Sequence, residues 1–202
     1  SDEKGEVLDG DQLMAICASH YPKTDALKGK TLVATVMSNL GLEVALRRQG
    51  GCLLRTPVGD RYVVERMRQL DCNLGGEQSG HLVFLDCSTT GDGILSALQI
   101  LAVMLREQRP LSELKGVMQR YPQTLVNVSV SRRRSMEEIP ELMRLQEGLE
   151  QRLGEEGRLV IRPSGTEPVI RIMVEGSDSK LIREIAEEMA ESIKKHMSDD
   201  PL

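Results

Sequence analysis

Residues 32–56 read LVATVMSNLGLEVALRRQGGCLLRT, and their pattern indicates the fold class of the first half of the chain. It opens with a mostly apolar run that contains β-branched residues, which is typical of a buried strand. A helical segment follows and is expected to end near Gly50 and Gly51, because glycine commonly terminates helices. A second short strand is predicted over residues 52–56. A strand–helix–strand unit of this kind predicts a layered α/β fold.

The flanking sequence continues this alternation of helices and strands. Either Asp9 or Asp11 is placed to cap a helix that begins near Leu13. Further elements are predicted at residues 60–70 (helix), 82–85 (strand) and 93–108 (helix). In the last of these helices, apolar residues recur at helical spacing, namely Ile94, Leu98, Leu101 and Leu105. We therefore expect a three-layer α/β domain with a mixed sheet.

The pattern changes at Tyr121-Pro122, because proline disfavours a helical conformation in the residue before it. A helical segment over about residues 111–120 is expected to stop there. Beyond it, the sequence predicts a strand, a helix, two strands and a helix, at residues 125–130, 136–153, 158–162, 169–175 and 179–195. This order indicates a smaller α+β domain with an antiparallel sheet and two helices. We place the boundary at about residue 120.

Composition excludes several classes of function. The chain has 202 residues, a net charge of −5, three tyrosines, one phenylalanine and no tryptophan. The negative charge opposes nucleic-acid binding, and so few aromatic residues do not make a base-stacking platform. No apolar stretch approaches the ~18 residues of a membrane span. The four cysteines, whose spacings contain no Cys-x-x-Cys pair, are expected to be reduced thiols rather than zinc ligands: Cys17, Cys52, Cys72 and Cys87.

The segment Arg162-Pro163-Ser164-Gly165-Thr166-Glu167-Pro168 lies between two predicted strands. Its prolines stiffen the loop, and its glycine lets the backbone approach a ligand closely. The serine and the threonine supply hydroxyl groups, and the arginine supplies a planar fork that suits phosphate. The loop is therefore a candidate anion site, with a polar hairpin turn as the alternative.

The alternation of side chains along a strand adds a second arginine to this candidate site. Because Ile170, Ile172 and Val174 are expected to face the core, Arg171 should lie on the opposite face of its strand. The same alternation places Arg162 on the outer face of the preceding strand. If the two strands pair, both guanidinium groups would project beside the loop.

The segment Gly75-Gly76-Glu77-Gln78-Ser79-Gly80-His81 is predicted to be a loop between a helix and a strand. Its three glycines permit a tight, exposed turn that presents a carboxylate, an amide, a hydroxyl and an imidazole together. A carboxylate only accepts hydrogen bonds and can receive two sugar hydroxyls at once. The segment is therefore a candidate polyol site, with a glycine-rich connecting turn as the alternative.

Together, these two segments resemble the sugar-binding and phosphate-binding loops of the α-D-phosphohexomutase family. Matching motifs also occur at Val58-Gly59-Asp60-Arg61-Tyr62-Val63, at Ile170-Arg171 and at Val174-Glu175-Gly176. Gln78 makes the sugar loop most similar to the bacterial phosphoglucosamine mutase subgroup, whereas Pro57 departs from the basic or small residue that relatives often carry. The resemblance spans essentially the whole chain.

This resemblance implies that the chain is a C-terminal fragment with the third and fourth of four family domains. Residues 1–120 would form the sugar-binding α/β domain, and residues 121–202 a phosphate-binding α+β domain like that of the TATA-binding protein. The phosphoserine loop and the Mg²⁺ loop would lie upstream, so we expect no catalytic or metal-binding residue in this chain. Asp9-Gly10-Asp11 resembles half a metal loop but lacks the third aspartate. His81 is a candidate for proton transfer, with structural support of the loop as the alternative.

The resemblance also implies the residues of the binding sites. The substrate-binding residues would be Glu77, Gln78, Ser79, Gly80 and His81. The phosphate-binding residues would be Arg162, Ser164, Gly165, Thr166 and Arg171.

The implied activity of the full-length enzyme is that of an isomerase of amino-sugar metabolism. It would interconvert glucosamine 6-phosphate and glucosamine 1-phosphate through a phosphoserine and a bisphosphorylated sugar, which also serves as activator. The enzyme would be a cytoplasmic phosphoprotein that supplies peptidoglycan precursors, and it is a candidate homodimer. The fragment alone is expected to be inactive. The alternatives are a phosphomannomutase or phosphoglucomutase, and a non-catalytic phosphosugar-binding module.

Overall fold

The computed structural model describes residues 1–24, 27–130, 136–164 and 167–197. The chain forms two compact units, Ser1–Arg120 and Tyr121–Leu202. Each unit is built around its own hydrophobic core.

The first unit alternates helices and strands along the chain. Its elements are α1 (Gly10–Thr24), β1 (Thr31–Thr35), α2 (Leu40–Arg48), β2 (Cys52–Thr56), α3 (Asp60–Gln69), β3 (Leu74–Gly76), β4 (Leu82–Phe84), α4 (Gly93–Glu107) and α5 (Leu111–Leu114). Single 3₁₀ turns occupy Lys28–Lys30 and Lys115–Val117. The helical segment expected up to residue 120 is thus shorter than predicted.

The strands of the first unit form a mixed sheet in the order β2-β1-β3-β4. Strand β1 is parallel to both β2 and β3, and β4 is antiparallel to β3. Successive side chains of a strand point to opposite faces, so Leu32 packs into the core with α1, α2 and α4, whereas Val33 packs against Val63 and Met67 of α3. The predicted three-layer α/β architecture is confirmed.

Strand β3 contradicts the prediction that Gly75 and Gly76 belong to a loop. Both residues pair with β1 on one side and with β4 on the other. The strand escaped prediction because it has only three residues and no β-branched side chain. The glycine-rich motif is therefore a β-hairpin, and its turn comprises residues 77–81.

Helix α4 carries apolar residues on two faces. The residues that face the core are Ser96, Ile100 and Val103. The four apolar residues that recur at helical spacing lie on the outer face, where their side chains are between 50% and 78% exposed: Ile94, Leu98, Leu101 and Leu105.

The second unit is an antiparallel sheet covered by helices. Its elements are β5 (Gln123–Ser129), α6 (Pro140–Leu153), β6 (Gly157–Pro163), β7 (Val169–Gly176) and α7 (Ser179–Met197), with 3₁₀ turns at Met136–Glu138 and Gly154–Glu156. The strand order is β5-β7-β6. Helices α6 and α7 pack on the face that carries Val128, Ile172 and Val174. The predicted α+β arrangement is confirmed.

All four cysteines are free thiols, as predicted. Burial raises the pKa of the Cys17 thiol to about 12.

Within the described ranges, no helix combines the length and the apolar character that crossing a membrane requires.

Candidate functional site

A cavity of about 440 Å³ lies in the first unit, beyond the carboxyl ends of the three parallel strands. Open α/β sheets bind ligands in this position, because the loops that follow neighbouring parallel strands converge there. The residues that line the cavity are Asp9, Thr35, Met37, Val58, Glu77, Gln78, Ser79 and Arg120. Three of the predicted substrate-binding residues, at positions 77–79, are therefore brought together.

The turn at residues 77–81 has a defined backbone geometry. The Glu77 N–H donates to the carbonyl of His81 over 2.9 Å, and the Gly80 N–H donates to the carbonyl of Glu77 over 3.0 Å. Gly80 and His81 do not line the main cavity. They line a neighbouring one of about 400 Å³ together with Gly91 and Asp92. The predicted substrate-binding set is thus divided between two adjacent cavities.

The carboxylate of Glu77 is anchored by the start of α3. Its Oε1 accepts a hydrogen bond over 3.1 Å from the N–H of Gly59, the N-cap residue of that helix. This contact fixes the orientation of the Glu77 carboxylate at the N-terminus of α3. In the described part of the chain, no hydrogen-bond partner occupies the Oε2 atom. Glu77 therefore presents an oriented acceptor to the cavity.

The Asp9-Gly10 segment supports this turn from behind, a role that the sequence analysis missed. The Gly10 N–H donates to the carbonyl of Gln78 over 2.9 Å. A Cβ added at Gly10 would overlap the carbonyl oxygen of Glu77. Only glycine allows this close backbone approach. The signal in the sequence was a glycine at the start of a helix, where a stronger helix former is usual.

Asp9 caps α1 and also lines the cavity. Its Oδ1 accepts the Gln12 N–H over 2.9 Å, and the Gln12 side chain accepts the Asp9 N–H over 3.2 Å, which together make a capping box. Its Oδ2 lies 3.3 Å from the guanidinium of Arg120. The cavity therefore holds two carboxylates, Asp9 and Glu77, and one guanidinium.

Asp11, two residues after Asp9, is fully buried. Its Oδ2 accepts a hydrogen bond over 2.7 Å from the N–H of Asn39, which is the N-cap residue of α2. Desolvation by burial raises the pKa of Asp11 to about 6, although the hydrogen bond from Asn39 favours the charged form. Asp11 therefore fixes the segment between β1 and α2.

His81 is held by two contacts. Its Nε2 lies 3.7 Å from an Oδ atom of Asp60, and both side chains are nearly half exposed. Its ring packs against the backbone of Gly91, where an added Cβ would overlap the imidazole. This geometry accommodates both predicted roles of His81, since the ring is positioned yet remains open to water.

The candidate phosphate site lies on the β6–β7 hairpin of the second unit. The two strands pair, and Arg162 stands directly opposite Arg171. Directly opposed residues point to the same side of a sheet, so the predicted juxtaposition of the two arginines is confirmed. The Ser164 N–H donates to the carbonyl of Val169 over 2.8 Å, which closes the hairpin. The predicted residues Gly165 and Thr166 lie outside the described residues.

The two arginines are only partly neutralised. Arg171 donates to a carboxylate oxygen of Glu167 over 3.2 Å, and its buried Nε has no hydrogen-bond partner in the described structure. Among the residues that the structure describes, Arg162 forms no ion pair. Like charges directly opposite each other on a sheet are destabilising, and a bound anion would remove this repulsion.

A magnesium ion, which the resemblance implies for the full-length enzyme, does not fit the donor set seen here. In the described ranges, no group of three or more histidine, cysteine, aspartate or glutamate residues is arranged to hold a metal ion. A few isolated carboxylates are a poor site for magnesium, which needs several oxygen ligands.

Two family models match the chain. Residues 9–121 match the model described as "Phosphoglucomutase/phosphomannomutase, alpha/beta/alpha domain III". Residues 125–192 match the "Phosphoglucomutase/phosphomannomutase, C-terminal domain".

Curated relatives are named phosphoglucosamine mutases. The protein from Syntrophotalea carbinolica is 54% identical over 97% of this chain, and the match covers 43% of that protein. The protein from Desulfotalea psychrophila is 56% identical over 96% of this chain, and the match covers 43% of that protein. The chain therefore spans less than half of the length of these relatives.

Solved structures share the fold. The N-acetylphosphoglucosamine mutase of Aspergillus fumigatus superposes with a TM-score of 0.82 at 20% identity, over 96% of this chain and 44% of that one. A second structure of the fungal enzyme, in complex with GlcNAc-6P and magnesium, gives a TM-score of 0.77 at 21% identity over 93% of this chain and 47% of that one. The resemblance drawn from the two loops is thus confirmed, and the chain belongs to the phosphoglucomutase/phosphomannomutase family, of which it contains domain III and the C-terminal domain.

Proposed function

We propose that this chain is the sugar-binding and phosphate-binding part of a phosphoglucosamine mutase. The full-length enzyme would interconvert glucosamine 6-phosphate and glucosamine 1-phosphate. The observation that carries the proposal is the anchored carboxylate of Glu77, which lines a cavity at the carboxyl ends of the parallel strands beside Gln78 and Ser79. The names of the curated relatives support the choice of substrate.

The first unit would bind the sugar ring. Glu77 accepts hydrogen bonds from ring hydroxyls with the oxygen that Gly59 does not occupy, and Ser79 adds a hydroxyl. The two carboxylates of the cavity outnumber its single guanidinium. This excess of negative charge favours a ring with a cationic amino group over a neutral hexose ring.

The second unit would bind the phosphate group. Arg162 and Arg171 offer two guanidinium groups from adjacent strands, and Ser164, Gly165 and Thr166 complete the proposed set. Guanidinium groups bind phosphate through paired N–H···O contacts. In phosphoryl transfer, positioning and charge stabilisation provide most of the catalysis, so a site that holds the non-reacting phosphate contributes directly to the rate.

The reacting groups would belong to the rest of the full-length enzyme. We propose that a phosphoserine and a magnesium site lie outside this chain, and that the 202-residue chain by itself has no mutase activity. A coupled assay with magnesium and a bisphosphorylated hexose activator tests this, with the full-length enzyme as positive control. Turnover by the purified chain above the background rate would contradict the assignment.

The role of Glu77 is tested in the full-length enzyme with Glu77→Gln. This variant keeps the shape but removes the charge that strengthens the hydroxyl contacts, which are worth about 1.5–3 kcal/mol. We expect kcat/KM to fall roughly ten- to a hundredfold. Glu65→Gln, an exposed glutamate on α3, is the matched control. Activity within about twofold of wild type would show that the turn is only a connector.

The same assay distinguishes the alternative substrates. The family description names phosphoglucomutase and phosphomannomutase, so rates on glucosamine 6-phosphate, glucose 6-phosphate and mannose 6-phosphate are compared. The proposal predicts the highest kcat/KM for glucosamine 6-phosphate. A higher kcat/KM for glucose 6-phosphate or mannose 6-phosphate would identify that hexose phosphate as the substrate instead. Activity on none of the three would favour a non-catalytic phosphosugar-binding module.

A further inference from the structure

Asp9 contributes a carboxylate to the cavity of the first unit, and its two oxygens have different surroundings. The Oδ1 atom is used by the fold, since it accepts the Gln12 N–H over 2.9 Å in the capping box. The Oδ2 atom is buried and accepts no hydrogen bond within the described ranges. The capping role of Asp9 therefore explains one oxygen and leaves the other to the cavity.

The guanidinium of Arg120 lies against this second oxygen. Its Nη2 atom is 3.3 Å from Oδ2 of Asp9, and both residues line the cavity. The Arg120 side chain is 60% exposed, whereas the Asp9 side chain is only 18% exposed. An ion pair with so exposed a partner is weak. The pair therefore consists of a fixed carboxylate and a cation that another cation can replace.

Asp9 is held beside the turn at residues 77–81. The N–H of the next residue, Gly10, donates to the carbonyl of Gln78 over 2.9 Å. The turn itself contributes Glu77, whose Oε1 accepts the Gly59 N–H. Two oriented carboxylates from separate segments thus line one cavity of about 440 Å³, a volume that is typical of small-molecule sites.

We propose that Asp9 is the residue that selects an amino sugar in this cavity. Its Oδ2 receives the ammonium group of the ligand, which replaces the guanidinium of Arg120, while Glu77 accepts ring hydroxyl groups. The inference rests on the sugar site proposed above and deepens it, since it assigns the choice between an amino sugar and a neutral hexose to one side chain.

The exchange conserves charge only for an amino sugar. An ammonium group has three N–H donors and a positive charge, and a carboxylate only accepts hydrogen bonds. Glucosamine would therefore replace one cation by another at Oδ2. Glucose carries a hydroxyl group at the same ring position, so it would leave the carboxylate without a counter-charge inside the cavity, which is unfavourable. A site built to bind a particular polar group rejects analogues that lack it.

Substrate ratios in the full-length enzyme at neutral pH test this proposal. The value of kcat/KM is measured for glucosamine 6-phosphate and for glucose 6-phosphate, and the ratio of the two is compared between variants. Because both substrates carry the same phosphate, effects on the phosphate site cancel in the ratio. Asp9→Asn keeps an oxygen for the Gln12 N–H and remains a good helix cap, but it removes the charge. It should lower the ratio about tenfold.

Arg120→Gln should change the same ratio in the opposite direction. Without the guanidinium, the ammonium group has no competitor at Oδ2 of Asp9, so the ratio should rise about two- to threefold. Asp178→Asn is the matched control and should leave the ratio unchanged. Asp178 also caps a helix, since its Oδ1 accepts the N–H groups of Lys180 and Leu181 at the start of α7.

Two results would overturn the proposal. An equal loss of kcat/KM on both substrates in Asp9→Asn, or no change in either, would show that Asp9 serves only the fold. A lower ratio in Arg120→Gln would show that the guanidinium orients Asp9 rather than occupying the ammonium position. Failure of the proposed function is a separate result: the wild-type enzyme itself would then prefer glucose 6-phosphate or turn over neither substrate, and the inference would fall with it.

Discussion

The two candidate binding loops are held in different ways. The turn at residues 77–81 is supported by groups that are distant in sequence, since Gly10 contacts it from behind, Gly59 anchors Glu77 and Gly91 packs under His81. The hairpin that carries Arg162 and Arg171 is formed by two strands that are adjacent in the chain. The first loop therefore depends on the tertiary structure of its unit, and the second depends mainly on local pairing.

This difference has consequences for both stability and binding. A substitution at a contact that is distant in sequence, such as Gly10, is expected to disturb the sugar site by displacing the turn at residues 77–81. At the hairpin, the two guanidinium groups repel each other, and Glu167 forms an ion pair with Arg171. Substitutions there are expected to change anion affinity with little effect on folding.

The largest effect is expected for Gly10→Ala. The added Cβ would overlap the backbone of Glu77, which cannot rotate away as a flexible side chain would. Overpacking of this kind costs about 2–4 kcal/mol, measured as the free energy of unfolding of the first unit in urea.

Gly93→Ala is the matched control for this substitution, because no atom lies within 4 Å of a Cβ at Gly93. It is expected to be neutral or slightly stabilising. Equal stability of the two variants would show that the turn does not depend on its contact with Gly10.

The next effect concerns Asp11 and depends on pH. Because the folded-state pKa is raised to about 6 from 3.8, the folded protein retains a proton that the unfolded chain has lost between these values. Ionisation therefore lowers stability as the pH rises through this window, and the full cost is present above it. Asp11→Asn keeps an oxygen for the Asn39 N–H and removes the buried charge, so it should stabilise the first unit by about 1–3 kcal/mol at pH 8.

Urea unfolding at pH 4 and at pH 8 measures this effect. The gain from Asp11→Asn should largely disappear at pH 4. Asp71→Asn is the control, since the side chain of Asp71 is 90% exposed and should show no comparable gain. A loss of stability in Asp11→Asn at pH 8 would mean that the carboxylate itself stabilises the segment before α2.

The smallest effect is expected for Glu167→Gln in the hairpin. Removing this carboxylate releases Arg171 from its ion pair, so phosphate should bind about two- to threefold more tightly at low ionic strength. Isothermal titration with inorganic phosphate measures the change, with the exposed Glu155→Gln as control. Weaker binding in Glu167→Gln would indicate that Glu167 orders Arg171 for the anion rather than competing with it.

Strong local patterns made most of the fold predictable. Strand β2 was predicted with its observed bounds, and the alternation in β7 placed Arg171 opposite the buried Ile170 and Ile172. Because the two strands of the hairpin are adjacent in the chain, the alternation of their side chains was enough to predict that Arg162 and Arg171 share a face. Asp92 caps α4, since its Oδ1 accepts the N–H groups of Ile94 and Leu95.

The features that escaped prediction depend on tertiary contacts. Strand β3 is held by two neighbouring strands rather than by its own residue preferences. In α4, apolar residues occur on all sides, so periodicity did not distinguish the inner face from the outer one. The contact of Gly10 with the turn and the burial of Asp11 join segments that are far apart in sequence.

We propose that this chain carries a phosphate site on the β6–β7 hairpin and a sugar site at the turn of residues 77–81. This proposal is tested by NMR titration of the 202-residue chain with inorganic phosphate, glucosamine and glucosamine 6-phosphate. Phosphate should shift residues 162–171 with a Kd of about 1 mM, near −4 kcal/mol. Glucosamine should shift residues 77–81, and glucosamine 6-phosphate should shift both sets.

The variant Arg162→Lys tests whether the guanidinium geometry matters for phosphate binding, because lysine keeps the charge but lacks the planar fork. We expect phosphate binding to weaken nearly as much in Arg162→Lys as in Arg162→Ala, while the glucosamine shifts at residues 77–81 stay unchanged. Phosphate shifts that fall mainly outside residues 162–171, or that persist unchanged in Arg162→Ala, would show that the hairpin is not the phosphate site.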